Sequence, residues 1–437
     1  MVAGCASGTI AKPKGRRDGQ ATHHGWAAQH NSDQTDGYPM SPSGHPYSKS
    51  TVQRIRPISA AAGEYGTSPG FPLPLYGALI FAGIRVLSLA TAAFLLPRGK
   101  FSELHCSLLQ LIRSWDSGRY LIIAVHGYPH DANLVWFPGY PAAIHAIAWI
   151  PGISPVGAGL SVTIAAGLAA AWGLTRLGMT LTGDRRVSLL MTALWAVAPG
   201  SIVLSMVYPE ALFCALAIWS LIALVERRWL TAAGLTILVG TVHGSAVALV
   251  AAVTVAALPA LIRAARARQH LAAWWRPAVA LLLAPLGLLG YWGYVAGKVH
   301  RPDGWFLLEK NVHNGFDWGQ SIMFALRDAI INGPTAFVAL TLLVIAAAAA
   351  LTVRSLTERM PACLHAYTLV IVLTALATGP YYLGSKPRFL LSAMLLGLPL
   401  ARLLTPARTW VLIPLIAMLA AASTWFGLYL MSVGWAP

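Results

Sequence analysis

From residue 73 to residue 431 the chain is a succession of apolar runs, most of them close to the roughly 20 residues that cross a hydrocarbon layer. They lie at 73–96, 156–177, 187–205, 210–225, 229–242, 244–262, 276–297, 335–353, 363–380, 388–404 and 409–431. The run 229–242 is short, and it could join 244–262 as one broken helix. A chain that is 57% hydrophobic and 11% charged, where soluble domains carry about 25% charged residues, has too little polar surface to cover a water-soluble core. The expected fold class is an all-α polytopic membrane protein of about eleven transmembrane helices.

The charge pattern orients those helices. Formal net charge is +16, which in a soluble protein would suggest nucleic acid. No basic stretch here is interleaved with stacking aromatics, so nucleic-acid binding is excluded as a reading. The arginines instead punctuate the spans, at Arg176/Arg185/Arg186, Arg227/Arg228, Arg263/Arg266/Arg268/Arg276, Arg354/Arg359 and Arg402/Arg408. The apolar stretch 134–152 is interrupted by Pro138, Pro141 and Pro151. If it lies at the interface or re-enters, every basic connection falls on one side, as the positive-inside rule requires. The N-terminus is then cytoplasmic and the C-terminus outside. The aromatic, polar connections 97–155, 207–210, 242–245, 298–334 and 381–389 all face outward, which suggests one site assembled from several loops.

Residues 1–70 are rich in Gly, Ser, Pro, His and Gln with no apolar periodicity, and are expected to be a disordered tail; residues 71–437 form the membrane domain. Cys5, Cys106, Cys214 and Cys363 are scattered, without metal spacing or an obvious disulfide pattern. No fixed-period repeat is visible, which speaks against a repeat-built transporter.

The stretch "RSWDSGRYLIIAVHGYP" at 113–129 sets a carboxylate, Asp116, among aromatics just beyond the first span. Apolar neighbours near a membrane surface raise a carboxyl pKa, which suits a general base working near neutral pH. The alternative is a solvated aspartate capping the helix that follows. Glu210 stands at the mouth of a span, where an acid is either functional or complements the helix dipole. Arg85 lies within the first span and must be paired, for instance with Glu210, or reach a phosphate. The loop 298–334 offers Glu309, Lys310, His313, Asn314, Asp317 and Trp318 as hydrogen-bonding groups and an aromatic face, or simply a solvated surface.

Four stretches in order carry a resemblance: "WDSGRYLIIAVHGY" with "WFPGYP", then "YPEALFCALAIWSLIALVERRW", "DGWFLLEKNVHNGFDWG" and "KPRFLLSAMLLGLPLARLL". Together they resemble the PIG-V-like mannosyltransferases, membrane glycosyltransferases of the GT-C superfamily, across roughly residues 75–430. Ser117, where those proteins usually carry Gly, and Arg119, where they carry an aromatic or His, depart from the pattern beside Asp116. So does "VHGS" around His243.

The resemblance implies a GT-C-type bundle with extracytoplasmic catalytic loops, in a bacterial plasma membrane if the Ala, Gly, Arg and Trp usage reflects a GC-rich source. It implies transfer of mannose, with inversion, from polyprenyl-phosphate-mannose to a glycolipid or related acceptor. Asp116 would take the acceptor proton. Lys386 and Arg388 would hold the leaving phosphate, since cations there meet developing negative charge. Trp115, Tyr120, Tyr128, Tyr208, Glu210, His313 and Asp317 would contact substrate. No nucleotide-sugar DxD motif stands out, and neither metal nor cofactor is expected. The partners are the lipid-linked donor, the acceptor and membrane lipids. Alternative readings are a polyprenyl-phosphate-arabinofuranose-dependent transferase and, from a different class, a lipid or solute transporter.

Overall fold

The computed structural model describes residues 72–433 except 105, 269, 313 and 380–382. The tail expected over residues 1–70 lies outside the described residues, and all those described belong to a single unit, 56–437.

The expectation of an all-α membrane protein holds. Eighteen helices occur among the described residues: α1 (Leu73–Leu95), α2 (Leu108–Ile112), α3 (Asp116–His126), α4 (Gly139–Ala148), α5 (Pro155–Thr182), α6 (Arg185–Ala196), α7 (Glu210–Val225), α8 (Trp229–Val242), α9 (Val247–Arg266), α10 (Leu271–Leu283), α11 (Leu286–Val299), α12 (Gly304–Asn311), α13 (Gln320–Asn332), α14 (Ala336–Leu356), α15 (Ala362–Ala377), α16 (Lys386–Leu390), α17 (Gly397–Leu404) and α18 (Thr409–Ser432). Short 3-10 turns link several of them. Six segments are long and apolar enough to cross a membrane, or seven if the bent pair Leu383–Leu390 and Met394–Leu404 counts as one. Three shorter apolar helices, α7, α8 and α15, accompany them.

The central element is α5. Ser154 accepts the amide of Gly157 at 3.1 Å to cap its start, Pro155 occupies its first turn, and Gly183 ends it in the left-handed conformation at φ 68°. Its 28 residues span about 42 Å at 1.5 Å per residue, more than the hydrocarbon thickness. It packs on α1, α4, α6 and α7 through small residues, which let membrane helices approach closely. A Cβ at Gly167, for example, would lie 2.4 Å from the Phe81 ring.

The expected span 187–205 is a different object. Helix α6 stops at Ala196, and a 3-10 turn occupies Ser201–Ser205. Pro199 lacks an N–H and Gly200 takes φ 83°, so the helical ladder cannot continue. The freed carbonyls are collected by side chains. Arg85 donates to Ser201 O at 2.5 Å and to Ala196 O, and Ser423 Oγ donates to Ala198 O at 2.8 Å. Arg85 therefore serves the backbone of this break and, among the described residues, does not pair with Glu210.

The ends of the helices differ in chemistry. Helix α7 starts at Glu210 and runs to Glu226, where Arg176 of α5 pairs at 2.5 Å and Arg228 at 3.7 Å. Arg354 of α14 and Arg402 of α17 both pair with Glu358, at 3.0 and 3.1 Å. At the opposite end of α5 and α7 lie Tyr208, Glu210 and the aromatic loops.

Candidate active site

Asp116 opens helix α3, and the residue before it sits in a backbone conformation that side chains avoid. Trp115 has φ 58° and ψ −131°, a state costing on the order of 1–3 kcal/mol for a residue with a Cβ. Its ring is half exposed at 44%. The turn delivers the Asp116 amide to the hydroxyl of Tyr208, which accepts at 3.2 Å, and leaves the carboxylate free to face α16. Four residues on, Tyr120 shares that side of α3. It is buried and meets Tyr140 edge to face at 5.4 Å.

Arg388 reaches this carboxylate from 272 residues away in the chain, its Nη1 donating to Asp116 Oδ2 at 2.9 Å. Its Nε lies 3.4 Å from Glu210 Oε1, within ion-pair distance but without hydrogen-bond geometry, and Glu210 Oε2 is buried with no partner among the described residues. The guanidinium also lies over the Tyr208 ring, 5.3 Å from its centre, and over Phe389 at 5.0 Å. Arg388 and Glu210 side chains are only 10% and 8% exposed, whereas Asp116 keeps 30%. Burying a cation between two acids is costly unless each finds a partner; here the guanidinium hydrogen-bonds Asp116 and offers Glu210 its charge alone. The placement depends on Gly200: a Cβ there would meet the Arg388 backbone nitrogen at 2.8 Å, and its φ of 83° is one that only glycine adopts freely.

Lys386 is two residues away but points elsewhere. Fully buried, it donates to Leu376 O at 3.0 Å and to Thr378 O, closing the C-terminal end of α15. The loop after α12 is pinned to that same end. Asp317 N donates to Ala377 O at 3.0 Å and Gly379 N to Gly315 O at 3.1 Å, around a bridge between Phe316 and Thr378. Asp317 accepts the amides of Gly319 and Ser321 at 2.9 and 2.8 Å, holding the start of α13. Partial burial alone would raise its carboxyl, but those hydrogen bonds and the nearby Lys386 charge outweigh it and keep it below the usual range. His313 lies outside the described residues.

A wall of aromatics closes the other side. Tyr128 donates to Trp136 O at 2.8 Å, and Tyr291 donates to Leu134 O at 2.8 Å and to Trp136 O at 2.9 Å. Phe137 packs between Tyr291 at 4.7 Å and Trp305 at 5.6 Å. The Tyr128 hydroxyl is thus used by the backbone, and burial pushes its pKa up to about 12. His243 Nδ1 accepts the Ser245 amide at 3.1 Å and its ring meets Phe213 edge to face at 5.7 Å. Beyond α3 a cleft of about 330 Å³ runs between Ile123, Gly127, Tyr128, Pro138, Pro141 and His145.

Of the residues expected from sequence, Asp116, Tyr208, Glu210 and Arg388 come together, with Trp115 and Tyr120 beside them. Lys386 and Asp317 hold the scaffold next to the site, and Tyr128 stands in its wall. The sequence reading assigned no role to Gly200 or Phe137. "APG" interrupting an apolar run was the available signal for the first, and the second sits in the already noted "WFPGYP".

The sequence matches the PIG-V mannosyltransferase family over residues 85–304, half of the chain. The chain belongs to this family. The match takes in Asp116, Glu210 and, of the aromatic wall, Tyr128, Phe137 and Tyr291. Among curated relatives, GPI alpha-1,6-mannosyltransferase 2 of Mus musculus is 31% identical over 150 residues, 32% of this chain and 30% of that protein. The Homo sapiens protein of the same name is 30% identical over 142 residues, 30% of this chain and 29% of its own. The chain thus spans about three tenths of the length of the curated relatives it matches. No solved structure matches it significantly.

Proposed function

We propose that this chain is a membrane mannosyltransferase that moves mannose from a polyprenyl-phosphate donor to a glycolipid or related acceptor, with Asp116 as the general base. Family membership supports mannose transfer, and the names of the mammalian relatives support a lipid-anchored acceptor. The observation that carries the mechanism is the single guanidinium of Arg388 placed between Asp116 and Glu210. Asp116 is the hydrogen-bonded partner of Arg388. A lipid-linked phosphate docking on the remaining N–H donors of Arg388 competes for that charge and leaves the Asp116 carboxylate free to accept a proton.

The step balances without a further reactant. The acceptor oxygen attacks C1 of the sugar from the side opposite the phosphate, and its proton passes to Asp116. The C1–O bond breaks, and its electron pair leaves on the phosphate, where Arg388 meets the growing charge. Inversion at C1 follows from that geometry. No step calls for a metal ion or cofactor. The apolar cleft beside α3 is the right chemistry for part of the polyprenyl chain. A site on the non-cytoplasmic side of the membrane is supported by the arginine clusters at the far ends of α5 and α7, because positive connections stay cytoplasmic.

The test is mannose transfer in membranes lacking the native enzyme, supplied with radiolabelled polyprenyl-phosphate-mannose. Asp116→Asn at an unchanged protein level is expected to lower product formation by about 10²–10⁴-fold, the span of general base catalysis. Full activity in the Asn variant moves the base elsewhere. A product formed only from the arabinofuranose donor overturns the sugar assignment.

A further inference from the structure

The short helix α12 presents two buried side chains, Trp305 and Glu309, one helical turn apart on a single face. That face looks toward the site. Phe137 of the aromatic wall meets Trp305 edge to face at 5.6 Å, and a Cβ at Gly244, beside His243, would touch the Trp305 ring at 3.4 Å. The charge of Asp116 is close enough to act on Glu309. Asn314 donates to Glu309 Oε2 at 2.7 Å, and its amide in turn holds the Glu309 carbonyl at 2.9 Å, so the pair is pre-set by the loop. Yet among the described residues Asn314 Oδ1 and Trp305 Nε1 are both buried with no hydrogen-bond partner. A buried polar atom left unpaired costs on the order of 1–3 kcal/mol. Two of them, next to a carboxyl group and an aromatic face, describe a place built to receive hydroxyls.

We propose that Glu309 and Asn314, backed by Trp305, form a second polar subsite that holds a sugar hydroxyl on the side of the site walled by Phe137, and that Glu309 acts there as a positioning residue. This rests on the transfer reaction proposed above and adds the group that orients its sugar. Burial drives the Glu309 carboxyl up to about 8, Asn314 opposes the shift and the Asp116 charge adds to it. Below that pH Glu309 is neutral and can donate one hydrogen bond while accepting another, which a hydroxyl can match in both directions. Above it, Glu309 carries a negative charge and the donor function is lost. The titratable groups around it are Asp116 and Tyr291, whose fields couple to it. Tyr128 stands behind Tyr291, and His243 adjoins Gly244. On its own segment lie exposed Lys310 and the exposed pair Arg301–Asp303.

The sugar belongs either to the donor or to the acceptor, and kinetics separate them. Membranes containing wild type, Glu309→Gln, Glu309→Ala or Asn314→Ala are assayed at graded polyprenyl-phosphate-mannose and, separately, at graded amounts of the cell's own extracted glycolipid fraction. The wild-type KM for one of the two is expected to rise about tenfold between pH 7 and pH 9.5. Glu309→Gln keeps both hydrogen-bonding roles at every pH, so its KM stays within about threefold of the wild-type pH 7 value and flat across that range. Glu309→Ala and Asn314→Ala raise the same KM about tenfold at pH 7 with kcat changed less. A rise confined to the donor assigns the mannose being transferred, and one confined to the glycolipid assigns the acceptor.

Parallel pH profiles for wild type and Glu309→Gln, or a wild-type KM for both substrates in Glu309→Ala, overturn the subsite while the transfer reading stands. A wild-type protein that neither transfers mannose nor binds either sugar lipid in detergent overturns both. Should Glu309→Ala fail to accumulate, the isosteric Gln variant decides through its pH profile.

Discussion

The guanidinium of Arg388 lies within ion-pair distance of both Asp116 and Glu210 and over the ring of Tyr208, so its shape matters as much as its charge. Lysine carries a point charge on a flexible stem and cannot face two carboxylates and a phosphate in one plane. Arg388→Lys should therefore raise the KM for the lipid-phosphate donor about tenfold and lower kcat further, at an unaltered expression level. Saturation curves with radiolabelled donor check this; a wild-type KM would remove Arg388 from the phosphate. Much of this residue-scale picture was legible in sequence. "WDSG", "YPE" and "KPRF" stand out because charged residues at the mouths of apolar runs need a reason. What the sequence could not reveal is how strained Trp115 is, since a positive φ at a tryptophan comes from the contacts around it and not from the residue itself. The same holds for Arg85, whose partners are carbonyls exposed by a helix break 111 and 116 residues away.

At the level of elements, the end of α15, the loop 312–319 and the start of α16 behave as one knot tied by Lys386. The sequence motif suggested that Lys386 and Arg388 act together on phosphate. In a helical turn two residues i and i+2 do not share a face, and the structure separates their work accordingly. Lys386→Met leaves the carbonyls of Leu376 and Thr378 without their donor, at a cost of about 1–3 kcal/mol per unpaired buried group. The expected result is a lower melting temperature in detergent and faster hydrogen exchange over residues 312–319, with the donor KM little changed. The opposite pattern, normal stability with a raised donor KM, would restore Lys386 to the phosphate. Helix α6 gives a comparable lesson. Its apolar run 187–205 reads as one span by hydropathy, yet the proline–glycine step inside it makes two short pieces, and Gly200 lies against the backbone of α16.

For the molecule as a whole, the apolar runs were enough to state an all-α membrane architecture, because membrane insertion imposes them. Exact spans were less legible, since short helices such as α7, α8 and α15 are embedded among longer ones and need not reach both faces themselves. The separation of arginine clusters from the site makes a directional prediction. After replacement of the four native cysteines by serine or alanine, a single cysteine in Asp303→Cys should react with a membrane-impermeant maleimide in intact cells. One in Arg227→Cys should react only after permeabilisation. Reversed labelling would turn the site toward the cytoplasm.

The 76° bend between Leu383–Leu390 and Met394–Leu404 also bears on how the protein is made. At the bend, Leu391 O accepts the indole N–H of Trp195 at 3.2 Å, and Ser392 O accepts the hydroxyl of Tyr367 at 2.8 Å. In lipid alone those carbonyls would have no donor, and a lipid-exposed break of this kind is not tolerated. Residues 383–404 therefore cannot settle in the bilayer as an independent helix. They can be housed only once α6 and α15 are already standing, and both are synthesised earlier. The order of the chain is thus also an order of assembly, and the arginine that completes the site is among the last parts to arrive.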